Sequence, residues 1–149
     1  MKRNNFFVSL LVCLGLMTAV SSCNKEDKPT VCASNVVICE DAFANTLDVR
    51  GAVSNVRIEG NNLKFTIKAN GCDGKSWVAK VVSDGSVLYP LPSEKQATRK
   101  LRILFENFEN CSTEISKEFS FNIKCLRVSD TKEVSLDILG TEYKLLYKY

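Results

Sequence analysis

The sequence predicts an all-β domain, an antiparallel immunoglobulin-like β-sandwich of eight or nine short strands, with a small β-barrel as the alternative way to close the sheet. Three observations carry this. From residue 36 onward apolar and polar residues alternate with period two, the spacing of a half-buried strand. Turn-forming residues interrupt the alternation every 8–12 residues. No long helical period and no internal repeat occurs beyond the first 22 residues. At 149 residues the chain suits one domain, and it divides into a leader over 1–22, a tether over 23–31 and a single sandwich over 32–149.

The leader begins with the positive Lys2-Arg3 and continues with an apolar run from Phe6 to Val20. As a helix those fifteen residues would rise about 22 Å, short of the ~30 Å hydrocarbon core of a bilayer. A charged start, a short apolar run and small residues after it describe a signal peptide rather than a spanning helix. Val20-Ser21-Ser22-Cys23 resembles the bacterial lipobox. That resemblance implies diacylglycerol on the Cys23 thiol, removal of residues 1–22, and palmitate-type acyl chains holding the mature chain on a membrane. One chain binds only marginally at ~0.8 kcal/mol per buried CH₂, so durable anchoring takes two or three. The polar segment Asn24 to Thr30 reads as a flexible tether. Its Lys25-Glu26-Asp27 resembles the surface-export signal of Bacteroidota lipoproteins, which implies the outer membrane with the domain at the cell surface; a periplasm-facing anchor is the alternative.

Within the domain, Leu47-Asp48-Val49-Arg50 is a short alternating run. Val56–Glu59 and Leu63–Lys68 alternate around Gly60-Asn61-Asn62, which predicts a hairpin. Trp77 to Val82 reads as an apolar strand and Ser83-Asp84-Gly85-Ser86 as a turn. Val87-Leu88-Tyr89 reads as an edge strand stopped by Pro90. Leu91 to Lys100 carries the weakest pattern, with room for one helical turn at Ser93–Gln96. Leu101, Ile103 and Phe105 share a face, as do Phe119, Phe121 and Ile123, and again Val134, Leu136 and Ile138. Gly140-Thr141 turns the chain into a last strand over Glu142–Tyr149. The Cys–Trp–Cys spacing of antibody domains is absent, because Trp77 follows Cys72 by only five residues.

Composition excludes several functions. There is no histidine, which removes the usual general base near neutral pH, Ser-His-Asp and Cys-His catalysis, and His-ligated zinc. Twenty basic residues against 17 acidic ones give +3, and Lys2 and Arg3 leave with an acid-free leader, so the mature chain carries +1. So little field gathers no nucleic acid. No cofactor and no metal site is expected.

Of the seven cysteines, Cys13 leaves with the leader and Cys23 takes the lipid. Cys32, Cys39, Cys72, Cys111 and Cys125 remain in a disulfide-permissive compartment, and an odd count leaves one over. Cys72 and Cys111 are the favoured pair, since each sits at a polar, turn-rich strand edge. Closing that loop of about 40 residues contributes about 4 kcal/mol in the chain-entropy model. Cys32–Cys39 is the local option for the rest; either can instead reach Cys125.

Residues 70–149 resemble the C-terminal β domain of small Bacteroidota lipoproteins, with NigD-like lipoproteins as the nearest named group. The matching features are Gly71-Cys72 before Trp77, Leu101-Arg102-Ile103 leading to Cys111, Phe119-Ser120-Phe121, and the terminal Leu145-Leu146-Tyr147-Lys148-Tyr149. The resemblance implies turns, a bridge and core strands, and no activity. Cys125 departs from it, standing where a loop residue such as proline is expected.

The candidate sites are few. Asp73, Glu106 and Glu109 lie in turns and could gather a cation or form an acid pair. Trp77 and Tyr89 could form an aromatic platform for a ligand, and Tyr143, Tyr147 and Tyr149 an exposed stripe. Arg99, Lys100 and Arg102 read as one strand's solvated face. The function expected is a non-catalytic, lipid-anchored envelope protein binding a protein or glycan partner. A structural subunit associating by strand addition is the alternative. A histidine-free hydrolase working with two carboxylates is the third reading.

Overall fold

The computed structural model describes residues 30–32, 35–47, 49, 52–89 and 96–149. The leader, Cys23, most of the tether and all but Gln96 of the helical turn expected at Ser93–Gln96 lie outside the described residues. Nine strands occur among the described residues. They are β1 (Thr30–Cys32), β2 (Val36–Ile38), β3 (Val53–Glu59), β4 (Asn62–Asn70), β5 (Val78–Ser83), β6 (Ala97–Glu106), β7 (Glu114–Asn122), β8 (Glu133–Ile138) and β9 (Lys144–Lys148). One sheet has six strands in the order β1-β2-β5-β6-β8-β9 and the other three in the order β3-β4-β7. The body is the expected sandwich. It begins at Thr30, inside the stretch read as tether.

The strands of the larger sheet are not all antiparallel. β2 runs parallel to β5, and β6 parallel to β8. In both cases the chain leaves the larger sheet, passes through the smaller one (β3 and β4 in the first case, β7 in the second), and returns beside a strand it already laid down. Parallel neighbours need such a crossover. Side-chain alternation is the same for either direction, so periodicity does not carry this information.

The core lies between the sheets. Leu63, Phe65 and Ile67 of β4 and Phe121 of β7 meet Val81, Leu101, Ile103, Val134, Leu136, Ile138 and Tyr147 from the larger sheet. Phe65 stacks on Phe121 with ring centroids 5.3 Å apart. The β3–β4 hairpin turns at Gly60-Asn61, where Gly60 has φ 58°.

Four local readings change. Leu47 is 85% exposed and belongs to no strand, while Asp48 and Arg50 lie outside the described residues. Among the described residues Val87–Tyr89 contributes one isolated bridge, Leu88 to Thr98, and no strand. β6 begins at Ala97, inside the stretch of weakest pattern. A short helix, α1 (Glu40–Asn45), was not expected; six residues are too few for a helical period to show. Glu40 and Asp41 in its first turn favour the positive end of the helix dipole. α1 packs on β2 and β5. Arg102 Nη1 donates to the carbonyls of Phe43 (3.2 Å) and Thr46 (2.5 Å), satisfying groups the helix end leaves open.

The Arg99–Arg102 face also differs. Arg102 and Lys100 point outward, but Arg99 alternates with them and is 9% exposed. Its Nε donates to the Leu126 carbonyl (3.0 Å) and its Nη1 to the Gly85 carbonyl (2.8 Å). Burial lowers its affinity for the proton. Arg99 therefore ties β6 to two loops at one end of the sandwich.

Candidate functional site

At another corner of the sandwich, the turn from β4 to β5 meets the loop from β6 to β7. Cys72 and Cys111 form a disulfide across it, with Cα atoms 5.1 Å apart and a sequence separation of 39. This is the pair favoured from sequence. Gly71 N–H donates to the Thr113 carbonyl (2.8 Å), and Asn107 Nδ2 to the Asn70 carbonyl (2.6 Å).

Glu109 is the centre of the corner. Its Oε2 accepts from the backbone N–H groups of Cys72 (2.5 Å), Gly74 (3.0 Å) and Asp73 (3.2 Å). Its Oε1 accepts from Ser76 through the backbone N–H (3.4 Å) and Oγ (3.3 Å). Desolvation pushes this carboxyl up. The amides of Gly74, Cys72, Ser76 and Asp73 together outweigh that and hold it below its ordinary value. A ring of amide N–H groups closing on one carboxylate is the geometry that binds free anions elsewhere. Here the anion belongs to the chain.

The turn can curl this tightly because residue 71 is glycine. A Cβ there would lie 2.6 Å from Glu109 Oε2 and 2.9 Å from Trp77 Cζ2. Trp77 fills the floor, 4% exposed, edge-on to Phe105 with centroids 5.2 Å apart. Its Nε1 is buried without a hydrogen-bond partner among the described residues.

These positions correct the candidate sites. Glu109 has both oxygens engaged, and Asp73 is held by Lys75 through Nζ (2.5 Å), which lowers the Asp73 carboxyl. Glu106 is exposed at the end of β6. The three acids do not form an open cation or acid-pair site, and no metal-binding cluster occurs among the described residues. Trp77 is core and is not available as a ligand contact, whereas Tyr89 is 53% exposed, so they make no shared platform. The tyrosines are not an exposed stripe either. Tyr147 is fully buried, and its hydroxyl donates to Asn61 Oδ1 (2.8 Å) and accepts from Arg127 Nε (3.1 Å). Tyr149 bonds the Val128 backbone and Thr131, and Tyr143 packs against the core. Among the cysteines, Cys125 is disulfide-bonded, so it is not the odd one that a local Cys32–Cys39 bridge would leave. Cys39 is buried, and the Cys32 side chain lies outside the described residues.

The corner presents one residue that the sequence reading passed over. Phe108 is 72% exposed, between Asn107 and Glu109, which are both fastened. An apolar residue among Asn107, Glu109 and Asn110, away from either strand's alternation, was the available signal. The arrangement offers a rigid aromatic projection with a polar surround: Asp73, Lys75 and Ser76 on one loop, Asn110 and Ser112 on the other. A separate concavity of about 450 Å³ lies between Val53 and the β8–β9 turn, Gly140–Tyr143.

No family model and no curated protein matches this chain. Among solved structures, it is similar to a protein of unknown function (DUF1344) from Bacteroides vulgatus ATCC 8482, with 15% identity and a TM-score of 0.44. The match covers 73% of this chain and 51% of that one, so the present chain spans about half the neighbour's length.

Proposed function

We propose that this chain is a non-catalytic lipoprotein of the cell envelope that binds a partner protein through the stapled corner, with Phe108 as the anchor. The observation that carries the reading is an aromatic side chain 72% exposed on a loop fixed by a disulfide and by the Glu109 clasp. Aromatic residues dominate binding energy at protein interfaces. A loop already held in shape avoids the ordering cost of about 0.5–1.5 kcal/mol per immobilised side chain. A protein partner is favoured over a glycan because the Trp77–Tyr89 pair, the stacking surface a sugar would use, is not formed.

The lipid anchor rests on the Val20-Ser21-Ser22-Cys23 resemblance, and an outer-membrane, surface-facing location on Lys25-Glu26-Asp27. Intact-mass analysis of native protein should find a chain beginning at Cys23 and carrying fatty acid. A chain beginning at Met1, or a cut chain without acyl groups, overturns the anchor. For the corner, the full protein is used as bait in cells, with crosslinking, beside Phe108→Ala and Leu47→Ala. Phe108→Ala should lose specific partners at least tenfold, while Leu47→Ala keeps them. Equal capture by all three, or retention of polysaccharide alone, refutes the protein-binding corner.

The assembly reading has one observation in its favour: β9 lies at the edge of the larger sheet. Against it, Tyr147 of β9 is fully buried and bonded into the body. Removing Thr141–Tyr149 should therefore unfold the monomer rather than merely abolish association.

A further inference from the structure

We infer that the outer face of the six-stranded sheet, beside α1, holds a binding site for a short aliphatic carboxylate. This goes beyond the corner and does not depend on it. A concavity of about 340 Å³ is lined by Val37 of β2, Val82 of β5, Leu104 of β6 and Ala42, Asn45 and Thr46 at α1, with Lys80 of β5. That volume is at the small end of ligand pockets, which are mostly apolar with a few placed polar groups.

The lining says what kind of molecule fits. Val82, Leu104, Val37 and Ala42 form an apolar wall suited to a hydrocarbon chain. Among the described residues Lys80 is the one charged residue in the lining; it is half-buried, and no ion pair with another described residue engages it. Among the described residues no acid lines the hollow; on the rest of this face Asp137 pairs with Lys144 (3.7 Å), Glu133 pairs with Lys148 (3.9 Å), and Glu106 stands further along β6, across from Val78. Lys80 stands directly across from Leu104 in the sheet register, so charge and apolar wall adjoin. A hollow whose described lining holds one cation and no acid is complemented by a chain with one negative end. A cationic amphiphile of the same length is disfavoured by the same lysine.

The site forms because α1 stands on the sheet rather than in it. Arg102 fastens the end of the helix through the Phe43 and Thr46 carbonyls, and its guanidinium lies 4.9 Å from the Phe43 ring centroid. That brace fixes the wall that Ala42, Asn45 and Thr46 contribute.

The test is methyl-resolved NMR of the full processed protein in nanodiscs, titrated with hexanoate and, separately, hexylammonium. Hexanoate should shift the Val37, Val82 and Leu104 methyl resonances in a saturable way, and hexylammonium should bind at least tenfold more weakly. Lys80→Met should weaken hexanoate about tenfold, the worth of one charge-assisted contact, and narrow the difference between the two probes. Ala42→Leu should fill the hollow and abolish both titrations; its unchanged thermal midpoint would show that the fold survives. Absence of shifts at these methyls to tens of millimolar overturns the site. Equal binding of both probes, or an unaffected Lys80→Met, overturns the carboxylate assignment.

Discussion

The Tyr147 hydroxyl is the sharpest test of how the last strand belongs to the body. Tyr147 sits on β9 of the larger sheet, and its hydroxyl donates to Asn61 Oδ1 in the β3–β4 turn of the smaller one. The contact closes one side of the sandwich across 86 residues of sequence. Tyr147→Phe removes one donor to Asn61 and the acceptor for Arg127 Nε (3.1 Å) but leaves the ring in place. Asn61 keeps Arg127 Nη2 (2.7 Å), so its oxygen is not stranded. The loss is then about 1–1.5 kcal/mol, the net worth of hydrogen bonds whose partners are partly re-satisfied. For a body of this size that shifts the thermal midpoint down by roughly 3–6 °C. Tyr147→Ala also empties the volume of a fully buried ring and should destabilise by about 3–5 kcal/mol. Thermal and urea unfolding followed by circular dichroism measure both. An alanine variant within about 1 kcal/mol of the parent would mean that β9 is not core, and the assembly reading would return.

Three further outcomes test the corner. Replacing Cys72 and Cys111 together by serine should lower stability by about 4 kcal/mol in urea titrations, from the loop the bridge closes; a loss under 1 kcal/mol would show that Glu109 alone holds the two loops. Glu109 is held below its ordinary value of 4.5, so the stability it adds is present above that value and disappears as pH falls through its folded value; Glu109→Gln should flatten this acid limb, and an unchanged pH profile would refute the clasp. Gly71→Ala forces a Cβ against Glu109 Oε2 and the Trp77 ring and should destabilise by about 1–3 kcal/mol, with a matching change in Trp77 fluorescence; a neutral variant would contradict the close approach.

The alternation carried much of the fold. Leu63-Phe65-Ile67, Leu101-Ile103 and Val134-Leu136-Ile138 face the core as their spacing requires. Strand direction was not legible, because a parallel and an antiparallel strand bury the same alternate residues. Nor was α1, since a six-residue helix on a sheet face leaves no period. Arg99 shows a different limit. Its alternation with Lys100 and Arg102 placed it on the inner face, but its charge argued for solvent, and the free carbonyls of Leu126 and Gly85 settled the matter. Those carbonyls lie in loops 27 and 14 residues away, beyond any local pattern. Sequence separation also hid the role of Glu109, which as a turn acid read as a candidate cation or acid-pair residue, whereas the Cys72 and Ser76 amides that hold it lie 37 and 33 residues away.

The corner is fastened by a disulfide, the Glu109 carboxylate and further hydrogen bonds. The core draws on β2 to β9 and does not include Phe108, which is 72% exposed. A disulfide would suffice to join the two loops, yet Glu109, Asn107, Gly71 and Lys117, which reaches the Gly74 carbonyl at 2.6 Å, each add a restraint on backbone that solvent could otherwise satisfy. Restraint on exposed backbone also lowers the cost of meeting a partner. Phe108→Ala should therefore leave unfolding within about 0.5 kcal/mol of the parent, as surface substitutions do, while partner capture falls. Loss of stability in proportion to loss of binding would mean that Phe108 is a packing residue and the corner an ordinary turn.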